Sequence, residues 1–268
     1  MINIHKTAVV SPGAEVSEGC EIGPYAIIGE HVKIGRNTKI GAHTVIEGTI
    51  EIGENNDISH LVTIGTPPQD TGYNGEDTRV VIGNNNIIRE YATIHRATTK
   101  QDRVTVIGDN NYIMAYAHIA HDCVLGNNII MVNAATLGGH TSVGDHATLS
   151  SFTASHQFVR IGQYAFISGL TGLPKDIPPY MIASGLRANL YGLNLVGLRR
   201  HGFSRQAITG LRKAYRLIWH ESSLLKDGIK RVKEEMEPFP ELEVLMNFLT
   251  SDSVRGITRG SKSRDEEL

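Results

Sequence analysis

A chain of 268 residues, 40% apolar and 20% charged, with formal net charge −2, has the make-up of an ordinary water-soluble protein of one or two domains. The near balance of charge gives no global case for nucleic acid. With no bilayer-length apolar run and no charged-then-apolar leader, a cytoplasmic protein without membrane insertion is expected. Two cysteines, Cys20 and Cys123, make neither a disulfide framework nor a CxxC pair and are expected to be reduced thiols.

From the N-terminus, Ile4, Val10, Val16, Ile22, Ile28, Ile34, Ile40, Ile46, Ile52, Ile58 and Ile64 recur every six residues without a miss. A period of six is neither the 3.6 of a helix nor the alternation of a long strand. It is the hexapeptide repeat of a β-solenoid: each hexad forms a short strand and a turn, and three hexads close one triangular coil of 18 residues. Glycine follows the apolar residue at Gly23, Gly29, Gly35, Gly41, Gly53 and Gly65, where a tight turn calls for close approach and a permissive backbone. Four after the apolar residue come small or β-branched side chains, Ala26, Val32, Thr38 and Thr44, suited to a tapering interior. Residues 66–79 lose the pattern and carry Pro and Gly; Ile82, Ile88 and Ile94 restore it. A second break at 96–105 shifts the register by one before Ile107. Insertions in a solenoid emerge as loops and often build its binding face.

The ladder then runs through Ile107, Ile113, Ile119, Leu125, Met131, Leu137, Val143 and Leu149, misses at Ser155, and resumes at Ile161, Ile167 and Leu173. Ile119, Leu137 and Ser155 share a face, because residues 18 apart stack on neighbouring coils. His118 and His121 flank the first of these, His140 lies three after the second and His156 one after the third. With coils stacked at about 4.8 Å, four histidines should gather along one edge within roughly 10 Å. Excising seven residues from the second break puts His95 on the same edge, one coil earlier. His5, His31, His43, His60, His146 and His220 have no such company. Cys123 falls in the small-residue slot of its hexad and is expected to pack rather than react.

After Leu173 the ladder stops at Pro174, Pro178 and Pro179. Ser204 can cap a helix with the apolar stripe Ile208, Leu211, Tyr215 and Ile218. Leu225, Ile229, Val232 and Met236 make a second stripe. Pro240 opens a third with Leu242, Leu245, Met246 and Leu249. The expected organisation is an all-β parallel solenoid over 1–190, an α-helical part over 191–255 and a frayed, disordered tail over 256–268. Solenoids need end caps, and the flat faces left over favour self-association about an axis parallel to the prism. Between Arg199 and Arg216 lie six cations, Arg199, Arg200, Arg205, Arg212, Lys213 and Arg216, and no acid; by itself this reads as a solvated helix face.

The ladder, the run His118-Ile-Ala-His-Asp-Cys123, Gly-Gly-His at 138–140, His-Gln-Phe at 156–158 and Arg-Arg-His-Gly-Phe-Ser at 199–204 together resemble the UDP-N-acetylglucosamine O-acyltransferases, over nearly the whole chain. The resemblance implies a left-handed parallel β-helix, an exception to the usual right-handed crossover. It implies a homotrimer with active sites between neighbouring subunits. The reaction it implies moves an (R)-3-hydroxyacyl group from acyl carrier protein to the glucosamine 3-hydroxyl of UDP-GlcNAc, the first step of lipid A biosynthesis. No metal and no free cofactor are implied, since the phosphopantetheine arm belongs to the carrier.

Residue by residue, His121 matches the general base, a role suited to a side chain that titrates near neutral pH. Asp122 matches the carboxylate that orients it, and Gly139 the backbone N–H of an oxyanion hole. Gln69, Asp70, His95, His118, Asn133, His140, His156, Gln157, Asn194 and Arg200 match substrate contacts, Arg200 on the nucleotide. Gly169 matches the residue that limits acyl length. The basic run, with Arg199, Arg205, Arg212, Lys213 and Arg216, would then face the acidic carrier protein and speed its association. Three positions depart from the family pattern. Gly72, Val196 and Arg187 stand where lysine, glutamate and histidine are common, which leaves room for a 3-amino sugar analogue as acceptor. From other classes, the clustered histidines also fit a zinc lyase of the hexapeptide carbonic anhydrase type, and the ladder alone fits a scaffold. The His-x-x-His spacing, rather than His-x-x-x-x-His, speaks against zinc.

Overall fold

The computed structural model describes residues 1–261. The hexads become strands of two to five residues, arranged in three sheets of 11, 9 and 8 strands. Up to Gly172–Leu173, successive strands in the chain go to successive sheets, so a strand pairs in parallel with the one three places on; Phe166–Ile167 then pairs with Met181–Ser184, two places on. The 11-stranded sheet ends with the one antiparallel pair among the described strands, Met181–Ser184 against Asn189–Leu193. The ladder residue of each hexad points inward. Register runs Ile22 to Ile40 to Ile58 in the first sheet, Ile28 to Ile46 to Ile64 in the second, and Ile34 to Ile52 to Ile82 in the third. Most of these side chains are wholly buried. Ile58 pairs with Ile88 and Ile94 with Ile119, 30 and 25 residues apart instead of 18, so both breaks do leave the prism as loops.

The interior slot four after the ladder residue is filled by Ala26, Val32, Thr38 and Thr44, all fully buried. Farther along, the slot becomes polar. Asn86 Nδ2 donates to Asn56 Oδ1 at 3.0 Å, the Asn111 N–H to Asn86 Oδ1 at 2.8 Å, and the Ile129 N–H to Asn111 Oδ1 at 2.8 Å. Buried amides are tolerated because each is paired with the coil above or below.

The glycine expectation holds only in part. The left-handed residue of these turns lies three places after the ladder residue and is rarely glycine: Tyr25, Asn37, His43, Asn55 and Leu61 all have φ between 57° and 60°. Gly65 alone of the six takes a positive φ, 83°. What the others supply is approach. A Cβ on Gly41 would lie 2.4 Å from both the nitrogen of His60 and the carbonyl carbon of Ser59. Asp122 and His140 occupy the same left-handed place, at 59° and 62°.

After Leu173 the chain forms α1 (Leu195–Arg200), α2 (Arg205–Tyr215), a π-helical turn (Arg216–His220), α3 (Leu225–Glu235) and α4 (Pro240–Thr250). Ser204 caps α2, its hydroxyl accepting the Ala207 N–H at 3.0 Å, and Pro240 opens α4. The expected boundary at 190/191 falls inside the strand Asn189–Leu193, and Leu211, Tyr215 and Leu245 join the prism interior in one apolar core. The expected tail also needs correction. Residues 256–261 are tied down: the Asp176 N–H donates to Gly256 O, the Thr258 N–H to Asp176 O, and the Leu190 N–H to Arg259 O, each at 2.9 Å. Buried Asp176 anchors this strap through Arg160 Nε and Ser253 Oγ, both at 2.7 Å. Residues 262–268 of that tail lie outside the described residues. Among the described residues, no helix is long and apolar enough to cross a membrane.

Gly41→Ala is expected to lower stability by about 1–3 kcal/mol, because backbone on the neighbouring coil cannot yield to the methyl. Denaturant midpoints of the two proteins check this; coincident midpoints would contradict the packing described.

Candidate active site

One corner of the prism, where the second sheet turns into the third, gathers four imidazoles. His118 precedes Ile119 on its strand and faces outward, with its Nδ1 2.7 Å from Thr93 Oγ1 on the coil before. His95 ends the strand Thr93–His95, and its ring meets His118 edge-on with centroids 4.9 Å apart. Ile94 pairs with Ile119, as excising seven residues requires. His121 and Asp122 form the turn after Ile119, and the His140 ring meets His121 edge-on at 5.1 Å. Phe158, one coil further, stacks flat on His140 at 4.3 Å.

His121 Nδ1 donates to Asp122 Oδ2 at 2.7 Å, which leaves Nε2 to accept a proton. The same oxygen accepts from the Thr98 N–H at 3.0 Å and Thr98 Oγ1 at 2.8 Å. Burial alone would raise the Asp122 carboxyl. The hydrogen bonds from His121 and Thr98 outweigh it and hold the group below its ordinary value. Beneath the His121 ring lies Gly139: a Cβ there would sit 2.4 Å from His121 Cε1 and 2.6 Å from Nε2. Glycine is therefore required by the imidazole itself, and among the described residues the Gly139 N–H has no acceptor.

The neighbouring histidines are held neutral. Burial pushes His95 down to about 4, with the charges of His118 and His121 adding to it. Burial likewise lowers His118 and His140; for His140 the nearby Asp122 charge works in the opposite direction. Cys123 lies fully buried behind this edge with its thiol pushed up to about 12, chiefly by burial, so it packs as expected. His95 Nδ1 and Asp122 Oδ1 are buried without a hydrogen-bond partner among the described residues.

The remaining expected site residues divide by place. Asp70, in the first loop, forms an ion pair with Lys100 of the second and takes the Gly72 N–H at 2.8 Å; Gln69 beside it is exposed. His156 and Gln157 are exposed, with His156 Nδ1 3.4 Å from Gln157 O, and among the described residues no ring contact ties His156 to the four imidazoles. Asn133 and Gly169 lie at the other end of the second sheet, both exposed. Asn194 is committed to structure: Oδ1 caps α1 through the Gly197 N–H and Nδ2 donates to Tyr164 O, both at 3.0 Å. Arg199, Arg200, Arg205 and Arg212 are exposed. Lys213 donates to Glu235 O at 2.9 Å and Arg216 pairs with Glu221 at 2.7 Å, which leaves these two less free to meet a carrier. Sequence reasoning missed Thr93, Thr98, Lys100, Gln101 and Thr105. Thr93 was legible, since it sits one coil from His118 once seven residues are removed. The others lie in or at the edge of a loop where no period operates.

The donor atoms of His121, Asp122 and His140 lie within 4.8 Å of one another. Their hydrogen bonds already use His121 Nδ1, Asp122 Oδ2 and His140 Nδ1, the last with Gln101 Oε1 at 2.7 Å. Among the described residues these bonds leave His121 Nε2, His140 Nε2 and Asp122 Oδ1 unbonded, and proton transfer at His121 Nε2 needs the Nδ1 bond to Asp122 in place.

A hexad prism carrying a buried histidine–aspartate pair defines a hexapeptide-repeat transferase, and the sequence profile of the six-repeat bacterial transferase hexapeptide matches residues 105–139. Residues 176–258 match the profile of domain 2 of Udp N-acetylglucosamine O-acyltransferase. The acyl-[acyl-carrier-protein]–UDP-N-acetylglucosamine O-acyltransferase of Thermodesulfovibrio yellowstonii is 54% identical over 97% of this chain and its own whole length. The counterpart from Burkholderia orbicola is 46% identical over 97% of this chain and all of its own. The structure of Francisella novicida UDP-N-acetylglucosamine acyltransferase superposes with a TM-score of 0.93 at 38% identity, covering 97% of this chain and 95% of that one. That of the Campylobacter jejuni enzyme gives 0.90 at 39%, covering 97% and 100%. The chain belongs to the UDP-N-acetylglucosamine O-acyltransferase family, and its prism is the left-handed parallel β-helix.

Buried neutral imidazoles make stability depend on pH. An unfolded histidine titrates near 6.5, while folded His95 takes a proton only near 4. Between those values the unfolded chain binds more protons, so stability falls as pH drops, and the lowered His118 and His140 add to the same trend. The melting temperature is therefore expected to be lower at about pH 5.5 than at about pH 7.5. Equal values would contradict neutral burial.

Proposed function

We infer that this chain transfers an (R)-3-hydroxyacyl group from acyl carrier protein to the glucosamine 3-hydroxyl of UDP-N-acetylglucosamine, the entry step of lipid A biosynthesis. The observation that carries the chemistry is the 2.7 Å bond from His121 Nδ1 to Asp122, which leaves Nε2 free above Gly139. Nε2 takes the proton of the sugar hydroxyl as that oxygen bonds to the thioester carbonyl carbon. The carbonyl oxygen gains negative charge and is met by the Gly139 N–H. Collapse of the tetrahedral intermediate breaks the carbon–sulfur bond, and the imidazolium returns its proton to the departing pantetheine sulfur. Asp122 stabilises the charged imidazole between the two transfers.

His95, His118 and His140 are held neutral by burial and can hydrogen-bond sugar or acyl groups without competing as bases. Asp70, Gln69, Gln157, His156 and Arg200 are proposed to hold the nucleotide sugar. Asn133 and Gly169 are proposed to line the acyl end. Thr136, Ala154 and Gly172 pair in succession along the outer strand positions between the two ends, a run of small side chains that suits a hydrocarbon tail. Asn194 is proposed to act by holding α1 in place. Arg199, Arg205 and Arg212 are proposed as the cations that meet an acidic carrier first, with Lys213 and Arg216 joining them at the cost of their contacts to Glu235 and Glu221.

The protein is proposed to work in the cytoplasm as a homotrimer. The phosphopantetheine arm would arrive on the carrier, so no cofactor of its own is invoked. The exposed apolar turn residues Tyr25, Leu61, Tyr91, Tyr116, Phe152 and Leu170, aligned along the corner before the second sheet, support packing against a second copy.

His121→Ala is expected to lower kcat by roughly 10²–10⁴ with the fold retained, when assayed with acyl carrier protein thioester and UDP-N-acetylglucosamine. Near-normal turnover would reject the base assignment. Gly169 has open space: a Cβ there meets only Ser151 O, at 3.4 Å. Gly169→Met is accordingly expected to shorten the preferred acyl chain, read from competition among carriers loaded with different lengths. An unchanged preference would remove Gly169 from that role.

A further inference from the structure

We infer that Thr98 is a positioning residue for this reaction, fixing the Asp122 carboxylate so that His121 is presented as a base. The inference rests on the reading of His121 given above. The second loop leaves the prism after His95 and folds back over the coils that follow. Within four residues it reaches three parts of the site. Thr98 bonds Asp122, 24 residues on; Lys100 pairs with Asp70, 30 residues back; Gln101 accepts from His140, 39 residues on. Of these contacts the Thr98 pair is the most enclosed, with Thr98 and Asp122 each only 3% exposed.

Asp122 depends on that pair. Its backbone is set by a left-handed turn and by its N–H donating to Thr105 Oγ1 at 2.9 Å. Its carboxylate is not set by the backbone, because torsion about an sp³–sp² bond is broad. Oδ1 has no partner among the described residues, so every bond that orients the group converges on Oδ2. Two come from Thr98, through its backbone N–H and its hydroxyl, and the third comes from His121. Without the hydroxyl, the shorter of the two Thr98 bonds is lost, and the carboxylate is left to the Thr98 N–H and the imidazole it is meant to orient. Thr98 touches neither reacting atom in the proposed mechanism, so its loss should cost turnover rather than acceptor binding.

Thr98→Val keeps the side chain's shape and the backbone N–H and removes only the hydroxyl. Its kcat is expected to fall about 10- to 100-fold, the rate equivalent of one charge-assisted hydrogen bond. KM for UDP-N-acetylglucosamine should stay within about twofold, and Thr98→Ser should restore most of the rate. The second readout needs no substrate. The low-field proton resonance of His121 Nδ1–H should move or broaden in the valine variant and return in the serine variant. If the wild-type enzyme turned over no acyl thioester, the assigned reaction would fail while this spectroscopic comparison still stood. The inference is overturned if the valine variant keeps wild-type kcat and resonance. It is equally overturned if valine and serine variants are slowed alike. Should the valine variant not fold, Thr98→Ala carries the same two readouts.

Discussion

Coil-to-coil register is the constraint on which this molecule depends. Because the sheets are parallel and most coils hold 18 residues, each side chain has a fixed neighbour above and below it. Isoleucine stacks on isoleucine inside, asparagine hydrogen-bonds to asparagine in the interior slot, and imidazole meets imidazole at the active corner. A slip of one residue would turn the ladder outward and bring the outer row in, so register is strongly specified wherever the interior is filled. The site inherits that rigidity: His118, His121 and His140 sit in different places of their hexads, yet one register holds all three.

The same constraint explains which histidine becomes a base. Packing four imidazoles at one corner brings burial with it, and burial disfavours the charged form of His95, His118 and His140. His95 and His118 have no carboxylate hydrogen-bonded to them, and His140 gives its Nδ1 to an amide. His121 alone of the four gives its Nδ1 to a carboxylate, and that carboxylate is itself held ionised. Division of labour among chemically identical rings is thus set by their hydrogen-bond partners.

Much of this was legible from period alone. The prism, its two loops and the meeting of His95, His118, His121 and His140 all follow from counting in sixes and watching where the count breaks, and the capping serine of α2 from the helical stripe behind it. What period does not carry is conformation within the turn and contact made by a loop. The left-handed place fell on Tyr25, Asn37 and His43 rather than on the glycines, because glycine is needed where backbones of neighbouring coils nearly touch, one or two residues earlier in the turn. His156 shares the corner in sequence but lies one residue after Ser155, and its ring stays exposed. Ser155 itself, the one break in that ladder, takes the Gly138 N–H at 3.0 Å and lies 2.9 Å from Thr141 Oγ1, so a polar residue is tolerated where its hydroxyl is paired. The strap at 256–261 was invisible because its partners, Asp176 and Leu190, lie far away in the chain.

A regular solenoid can stack residues but cannot enclose them, since every flat face looks onto solvent. The two loops supply what the repeat lacks. They leave the prism on successive coils, are joined to each other by Asp70 and Lys100, and close over the corner where the imidazoles stack. Arg96 ties their bases together, its Nε donating to the Tyr73 hydroxyl at 3.0 Å and its Nη1 to Gly65 O at 2.9 Å. The repeat therefore provides spacing and the insertions provide enclosure. The histidine–aspartate pair lies where the two meet, with Asp122 accepting from the prism side through His121 and from the loop side through Thr98.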